Sequence, residues 1–262
     1  MEILHAKIFG QDKPGTPLLV FHGLFGMLDN WGSFGKEMGE FFPVHLIDLR
    51  NHGKSFHSTE MSHDDLAHDI SHYMDFHHIE KANLLGHSLG GKAVMQFAIK
   101  YPIKVQKLIV VDISPKAYPP HHQGILKALE SVDFENLKTR QQVEEVLQQY
   151  IPEKSVIQFL AKNLYWKDDK KLDWRFNLKT LSEKYSDFVS NAIKFGVFTG
   201  ETLFIAGAKS NYILPQDEFQ IKQQFPNSSI VKIPNAGHWV QAENPKDFNE
   251  AVKEFIFETP LA

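Results

Sequence analysis

The sequence predicts an α/β fold in which helices cover both faces of a mostly parallel, doubly wound sheet, with a helical segment inserted near its middle. Short apolar runs of strand length alternate with amphipathic stretches in the first half of the chain. The same alternation returns near the end, after a charged region with no convincing buried strand. Such runs predict strands that are covered on both faces, and their alternation with helices predicts parallel neighbours.

Each element of this fold has its own local signal. The predicted strands are residues 17–22, 44–48, 82–86, 108–113, 202–206 and 229–233, and the predicted helices are residues 31–41, 64–78, 89–101, 217–225 and 245–257. The strand segments are short apolar runs, whereas the helix segments carry apolar residues at helical spacing. The succession of strand, helix and strand in the first half therefore predicts βαβ units.

The chain is long enough for more than a single compact core. At 262 residues it exceeds the ~150 residues typical of a domain, which indicates one large domain or a core with an insertion. The interruption of the strand pattern begins near Lys116 and continues through charged, helix-like segments. We expect residues 1–115 and 196–262 to form the core and residues 116–195 to form a helical lid inserted between strands.

The composition is that of an ordinary globular protein and removes several kinds of chemistry. The chain has 42% hydrophobic, 12% aromatic and 23% charged residues, which excludes disordered, collagen-like and coiled-coil proteins. The absence of Cys excludes disulfides, thiolate nucleophiles, Cys-ligated zinc and iron–sulfur clusters. A formal charge of -4, from 28 basic and 32 acidic residues, argues against a nucleic-acid partner.

Membrane and targeting signals are not evident in the sequence. No apolar run approaches the ~18 residues that a spanning helix needs, and the first residues lack the basic-then-apolar layout of a signal peptide. We therefore expect a cytoplasmic protein with no stable membrane insertion. No interface signature is readable, so a monomer and a homodimer both stay open.

A Gly-x-Ser-x-Gly motif at residues 86–90 carries the strongest functional signal. It joins the predicted strand 82–86 to the predicted helix 89–101, which is the strand–turn–helix context of a nucleophile elbow. Its glycines allow a strained turn to pass close to neighbouring backbone. Ser88 is therefore the candidate nucleophile, with His87 as a supporting residue. The structural alternative is a Gly-rich turn with an idle Ser.

The first predicted strand ends in a second glycine-rich turn, His-Gly-Leu-Phe-Gly at residues 22–26. Acyl transfer needs two preorganised N–H groups that point at the developing alkoxide. The candidates are the main-chain amides of Leu24, in this turn, and of Leu89, just after the nucleophile. We expect His22 and Gly23 to support the turn and do not assign His22 as a base.

A candidate base follows the last predicted strand. His238 lies on a Gly-containing loop between the strand at residues 229–233 and the helix at residues 245–257. This position fits the chain order of Ser, acid and His that accompanies such an elbow. The structural alternative is a surface His, since the chain contains 14 His residues.

Taken together, these motifs resemble those of α/β-hydrolases. The segments 22–31, 48–55, 111–115 and 174–178 also resemble YbfF-like esterases and the related mitochondrial ABHD-type hydrolases. The resemblance covers most of the chain. It implies a serine esterase or thioesterase that acts on short-to-medium acyl esters or acyl-CoA and needs no metal or other cofactor.

The acid is not at its usual position. In many α/β-hydrolases it follows the strand after the lid, where this chain has Ser210, and a neutral hydroxyl cannot offset an imidazolium. Asp112 is the preferred candidate, because it ends the strand expected beside the nucleophile strand and YbfF-like esterases resemble this arrangement. Asp112 could instead cap the lid entrance, and Asp217 is the weaker alternative acid. Ser210 is expected to support the imidazole or the acid through a hydrogen bond.

The remaining signals are less specific. Phe25, Trp174, Arg175 and Trp239 are candidate walls of a substrate pocket, although aromatic side chains at such positions are more often core. Two His residues four positions apart on the predicted helix 64–78 have metal-ligand spacing. Because no third ligand is evident, we expect no metal site.

We predict a serine hydrolase that cleaves small carboxylic esters or thioesters through a Ser-His-Asp triad and an acyl-enzyme. A Ser nucleophile argues against epoxide hydrolases and haloalkane dehalogenases, whose elbow carries an Asp. Another lidded Ser hydrolase, such as a carbon–carbon bond hydrolase, a lactonase or a perhydrolase, is one alternative. A non-catalytic ligand-binding protein of the same fold is the other, and only the missing carboxylate at Ser210 favours it.

Overall fold

The computed structural model describes residues 2–120, 122–168 and 171–257. Its strands are β1 (Ala6–Phe9), β2 (Leu18–Phe21), β3 (Val44–Ile47), β4 (Ala82–His87), β5 (Val105–Val111), β6 (Leu164–Asp168), β7 (Lys171–Trp174), β8 (Thr202–Gly207) and β9 (Ser228–Ile233). Its helices are α1 (Gly32–Met38), α2 (His63–Phe76), α3 (Leu89–Lys100), α4 (Gln123–Glu130), α5 (Arg140–Gln148), α6 (Lys154–Ala161), α7 (Leu178–Glu183), α8 (Asp217–Gln224), α9 (Val240–Glu243) and α10 (Pro245–Phe257). In this part of the chain, no helix has the length and apolar character needed to cross a bilayer.

Seven of the strands form one sheet in the order β1-β3-β2-β4-β5-β8-β9. Its neighbours run parallel except β1, which pairs antiparallel with β3. The predicted α/β fold with a mostly parallel sheet is confirmed, and β1 is the strand of this sheet that the sequence pattern did not indicate. β4 pairs with β2 on one side and with β5 on the other, so the carboxyl ends of these strands meet where such sheets bind ligands.

The central strands are apolar because helices cover both faces of the sheet. In β4, the neighbouring side chains of Leu84 and Leu85 are fully buried and belong to different hydrophobic clusters on the two faces. One cluster includes residues of α2 and α3, and the other includes residues of α1 and α10. α3 begins two residues after β4 ends, so its first turn lies at the carboxyl edge of the sheet.

The chain between β5 and β8 contains the helices α4 to α7 and a two-stranded antiparallel sheet of β6 and β7. The sequence pattern predicted only helices in this segment. The hairpin lacks the apolar pattern of a buried strand, because Trp166 is 56% exposed and Lys167 forms a surface ion pair with Asp173. The limits of the lid at residues 116 and 195 remain a prediction.

Candidate active site

Ser88 occupies the sharp turn between β4 and α3. Its backbone has φ 53 and ψ -114 degrees, and its N–H donates to the Val111 carbonyl oxygen at 3.0 Å. A positive φ is strained for a residue with a side chain and persists only where the surrounding structure enforces it. The side chain of Ser88 is half-buried and lines a cavity at the carboxyl edge of the sheet.

Two glycines let other backbone segments approach Ser88 closely. A Cβ atom at Gly90 would overlap carbonyl oxygens at and just after the end of β2. A Cβ atom at Gly23 would lie 3.2 Å from Cβ of Ser88, which is tighter than side chains normally pack. The turn at residues 22–26 therefore lies directly against the turn that carries Ser88.

Asp112 follows β5 directly and lies beside the Ser88 turn, because β5 pairs with β4. The side chain of Asp112 is fully buried. Its Oδ2 lies 2.8 Å from Nδ1 of His238 and accepts a hydrogen bond of 2.5 Å from the Ser210 hydroxyl. Its Oδ1 accepts from the Gly207 N–H at 3.0 Å. The carboxylate of Asp112, after β5, therefore contacts the side chains of Ser210, in the loop after β8, and His238, in the loop after β9.

The carboxyl of Asp112 is perturbed by its surroundings. Burial raises the pKa of Asp112 to about 6, while hydrogen bonds from the Ser210 hydroxyl and the Gly207 N–H oppose this rise because they favour the charged form. At pH 7 the group is therefore mainly ionised. A carboxylate at this place can hold the Nδ1–H tautomer of His238 and stabilise its imidazolium.

The ring of His238 is held by two neighbouring aromatic rings. Tyr212 stacks on it with a centroid distance of 3.9 Å, and His87 packs against it at 4.7 Å. Nε2 of His87 donates to the main-chain carbonyl oxygen of His238 at 2.8 Å. Burial lowers the pKa of His87 to about 3, so the ring of His87 is neutral. His87 and Tyr212 together restrict the position of the His238 ring, and Tyr212 was not among the residues predicted from the sequence.

His22 orders the turn at residues 22–26 through its ring. Its Nδ1–H donates to the Gly23 carbonyl oxygen at 2.8 Å, and its Nε2 accepts from the Leu49 N–H at 3.1 Å. Burial lowers the pKa of His22 to about 4, so the ring is neutral. Both ring nitrogens are occupied by backbone groups, which leaves His22 without the free nitrogen that a base needs.

Two further polar side chains hold the backbone of Phe25, which has φ 57 degrees. The Phe25 N–H donates to Nε2 of His52 at 3.2 Å, and its carbonyl oxygen accepts from the Asn163 side-chain amide at 2.8 Å. Neither His52 nor Asn163 was among the residues predicted from the sequence. His52 lies in the segment 48–55, which carries the family resemblance and so offered a signal. Asn163 offered none, because it is 138 residues from Phe25 and reaches it through the docking of the segment between β5 and β8.

The main-chain amides of Leu24 and Leu89 flank Ser88. Leu89 begins α3 directly after Ser88, and Leu24 lines the same cavity from the facing turn. Neither N–H donates to an acceptor in the described part of the chain. Two such amides beside a Ser hydroxyl can receive the negative charge that develops on a carbonyl oxygen under attack.

Ser88 and His238 line the same cavity, which has a volume of about 170 Å³. Two of the predicted pocket residues, Phe25 and Trp239, are among its walls. Further apolar side chains reach it from α4 and α6. The segment between β5 and β8 therefore covers the cavity.

Trp174 and Arg175 are not among the walls of this cavity. The ring of Trp174 stacks on Phe176 at 5.3 Å and belongs to the buried core. The guanidinium of Arg175 lies 4.8 Å from the ring centroid of Tyr165 and borders a separate cavity. The sequence could not distinguish these packing roles from substrate contact, because the same side chains serve both.

The alternative acid, Asp217, is engaged elsewhere. Its Oδ2 accepts from Nζ of Lys116 at 2.5 Å and from the Leu214 N–H at 2.9 Å. Within the described ranges, no group of three or more His, Cys, Asp or Glu side chains could hold a metal ion. The groups assembled around Ser88 are a hydroxyl, an imidazole and a carboxylate, which is the set used in nucleophilic acyl transfer.

Known proteins similar to this chain include several enzymes that act on esters. A family model described as alpha/beta hydrolase fold matches residues 16–150. Esterase YbfF of Escherichia coli (strain K12) is 34% identical over 254 residues, which cover 97% of this chain and 98% of that protein. The sn-1-specific diacylglycerol lipase ABHD11 of Danio rerio is 35% identical over 257 residues, which cover 95% of this chain and 81% of that protein.

A solved structure is similar over almost the whole chain. The structure of a marine microorganism esterase superposes with a TM-score of 0.94 at 36% sequence identity. The match covers 97% of this chain and 100% of that one. The similarity therefore extends through the sheet and through the segment between β5 and β8.

Proposed function

Because the chain belongs to the α/β-hydrolase family and is a hydrolase of carboxylic esters, we propose that it cleaves short-to-medium acyl esters or thioesters, including acyl-CoA, through an acyl-enzyme on Ser88. His238 is the proposed base, and Asp112 is the proposed acid that orients it. The observation that carries the proposal is the distance of 2.8 Å between Oδ2 of Asp112 and Nδ1 of His238. Ser88 and the imidazole of His238 line the same cavity.

The first half of the reaction forms the acyl-enzyme. Nε2 of His238 takes the hydroxyl proton as Oγ of Ser88 attacks the acyl carbon. The carbonyl oxygen becomes an oxyanion, which accepts hydrogen bonds from the amides of Leu24 and Leu89. The imidazolium then gives its proton to the leaving alcohol or thiol. Asp112 stabilises this imidazolium, because its carboxylate faces the protonated Nδ1.

The second half releases the acid. His238 takes a proton from a water molecule, whose oxygen attacks the acyl carbon on Ser88. The tetrahedral intermediate collapses, the bond to Oγ breaks, and the imidazolium returns a proton to Ser88. The Ser210 hydroxyl donates to the same Asp112 oxygen that faces His238, so we assign Ser210 a positioning role.

We also propose that residues 116–195 act as the lid of this site. Side chains on α4 and α6 form one wall of the cavity at Ser88. Asn163, just after α6, holds the Phe25 carbonyl oxygen in the facing turn. The lid would therefore exclude water, shape the space for substrate and brace the turn that carries one oxyanion amide.

Covalent labelling tests the assignment of the nucleophile. A fluorophosphonate should modify Ser88, with the adduct located by peptide mass spectrometry, and Ser88→Ala should lose both labelling and hydrolysis of 4-nitrophenyl acetate. Ser229→Ala is a matched control, because this Ser is exposed on β9 and does not line the cavity at Ser88. An adduct on another residue, or full hydrolysis by Ser88→Ala, would contradict the proposal.

A substrate panel separates this proposal from its alternatives. Acyl-CoA substrates test the thioesterase activity, whereas lactones and diketones test the other lidded Ser hydrolases. A protein that is neither labelled nor active on any of these substrates would point to a non-catalytic ligand-binding role. We expect esters and thioesters to be cleaved at the highest rates.

A further inference from the structure

We propose that Ser88 lies between two unequal substrate chambers, a narrow one for the acyl group and a wide one for the leaving group. The preferred substrates are then esters or thioesters of very short acids with larger apolar alcohols or thiols. This inference rests on the proposed hydrolysis at Ser88 and assigns each part of the substrate to a place. Ser88 and His122 line both chambers.

The wide chamber is the cavity of about 170 Å³ described above. Its apolar walls are formed by Leu24, Phe25, Ile125, Val156, Phe159 and Leu160. Burial of apolar area is favourable in proportion to the area removed from water. This chamber therefore suits a hydrocarbon portion of several carbons.

The narrow chamber has a volume of about 20 Å³, which holds only one or two water-sized groups. Its walls include Leu89, Ile113, Tyr118, Pro119, Tyr185 and Tyr212. Acetyl and propionyl groups match this space, whereas a longer chain has to displace side chains. Displacement of packed side chains is costly because protein interiors are close-packed.

Hydrogen bonds hold a wall of the narrow chamber in place. The Tyr118 hydroxyl accepts from the Ser114 N–H at 2.8 Å and donates to the Tyr212 carbonyl oxygen at 2.6 Å. Tyr212 in turn stacks on His238 at 3.9 Å. Enlarging the chamber at this wall would disturb the imidazole, so the limit on acyl size is linked to the geometry of the base.

The position of His238 decides which part of the substrate enters each chamber. The leaving oxygen or sulfur must receive a proton from His238, so the group attached to it must lie on the side of that imidazole. Of the two chambers at Ser88, only the wide one is lined by His238. The acyl chain, which extends from the other side of the attacked carbon, then enters the narrow chamber.

Two isomeric esters test this assignment directly. Hexyl acetate and ethyl hexanoate have the same formula and nearly the same apolar area, but they exchange the long and short chains. We expect kcat/KM for hexyl acetate to exceed that for ethyl hexanoate by at least about tenfold. One methylene group that does not fit an apolar pocket already changes kcat/KM by about tenfold or more, and the hexanoyl chain has several such groups. Equal values, or a preference for ethyl hexanoate, would overturn the proposal.

Variants of the two chambers provide a second measurement. Val156→Trp fills the wide chamber and should lower the ratio of kcat/KM for hexyl acetate to that for ethyl acetate. Ile113→Ala opens the narrow chamber and should raise the ratio of kcat/KM for ethyl butanoate to that for ethyl acetate. Val197→Trp is the matched control, because Val197 is 50% exposed and lines neither chamber. A ratio does not depend on the folded fraction, so partial unfolding of a variant does not mimic the effect.

These experiments distinguish the chamber assignment from the proposed hydrolysis at Ser88. Labelling of Ser88 and cleavage of 4-nitrophenyl acetate test hydrolysis itself, because this substrate combines a short acyl group with a reactive leaving group. A protein that passes those tests but prefers ethyl hexanoate retains the proposed function and refutes the chamber assignment. A protein that fails them refutes both.

Discussion

The side-chain amide of Asn163 donates a hydrogen bond of 2.8 Å to the main-chain carbonyl oxygen of Phe25. This contact joins the segment between β5 and β8 to the turn that carries the Leu24 amide. Phe25 has a positive φ, which neighbouring contacts must stabilise, and Asn163 is 1% exposed. The position of one proposed oxyanion amide therefore depends on the docking of the proposed lid.

We expect Asn163→Asp to lower kcat by roughly tenfold to a hundredfold, with a smaller effect on KM, because a misplaced oxyanion donor mainly weakens the transition state. The substitution preserves side-chain size but removes the N–H donor. Steady-state kinetics on 4-nitrophenyl acetate provide the measurement, and the exposed Asn136→Asp serves as the matched control. A change in KM alone would indicate a role in substrate binding instead.

If Asp112 is the acid, substitutions of Asp112 and of its hydrogen-bond partner Ser210 should lower kcat to different extents. Asp112→Asn should lower kcat by roughly 10⁴-fold, because it removes the charge that stabilises the imidazolium. Ser210→Ala should cost only about tenfold, since it removes one neutral donor to that carboxylate. Fluorophosphonate labelling rates measured beside kcat separate attack from deacylation. A fully active Asp112→Asn protein would refute the assignment.

The same hydrogen bond predicts a pH dependence. Catalysis needs the Asp112 carboxylate, whose pKa is raised to about 6, so kcat/KM should fall as the pH drops through this value. In Ser210→Ala the lost donor no longer favours the charged form, so the pKa of Asp112 rises further and the acid limb moves to higher pH. A pH profile of kcat/KM for both proteins checks the direction. A limb that moves to lower pH in the variant would be inconsistent with a donor role for Ser210.

The close approach at Gly90 predicts a loss of stability on substitution. Gly90→Ala places a Cβ atom against two backbone carbonyl oxygens, and it should lower the free energy of unfolding by roughly 1–3 kcal/mol. Gly124→Ala is the matched control, because it adds the same methyl group to α4 with no heavy atom within 4 Å. That control should change stability by no more than about 1 kcal/mol, in the stabilising direction. Urea unfolding followed by circular dichroism measures both, and equal effects at the two sites would contradict the packing argument.

A buried ammonium predicts the pH dependence of stability. Lys92 is 1% exposed, and its Nζ donates to the carbonyl oxygens of Lys116 and Asn191, near the two ends of the proposed lid. Burial lowers the pKa of Lys92 from 10.5 to about 7. Between these values the unfolded chain binds more protons than the folded chain, so this group makes the free energy of unfolding rise with pH.

Lys92→Met should remove that contribution. Relative to the wild type, we expect the variant to show a flatter increase in the free energy of unfolding between about pH 7 and pH 9.5. Urea titrations at both pH values measure the difference, with Lys232→Met as a control on an exposed residue. Parallel pH dependences for wild type and Lys92→Met would argue against a lowered pKa for Lys92.

The parts of the fold that were predicted from the sequence are those with local signals. β4 is apolar on both faces because both are covered, and the Gly-x-Ser-x-Gly motif follows it directly. β1 was missed because it is an edge strand of four partly buried or exposed residues without a continuous apolar run. The hairpin of β6 and β7 was missed because its charged and exposed side chains leave no apolar run that would indicate a buried strand.

The site residues that were predicted from the sequence are likewise those with local signals. Asp112 and His238 were predicted from the sequence, and Nδ1 of this imidazole lies 2.8 Å from the carboxylate. Their catalytic roles stay a prediction. Asn163 was missed because its contact depends on how a distant segment docks, which no local pattern records. Tyr212 was missed because a Tyr in a loop has no spacing that indicates stacking on His238.

The order of the chain also affects when the protein becomes active during its synthesis. Ser88 and Asp112 follow the neighbouring strands β4 and β5, both of which leave the ribosome before the segment that precedes β8. His238, the proposed base, emerges much later, between β9 and α10. Under this assignment, a nascent polypeptide can assemble the hydroxyl and the carboxylate early yet stays inert towards esters until the loop after β9 has been synthesised.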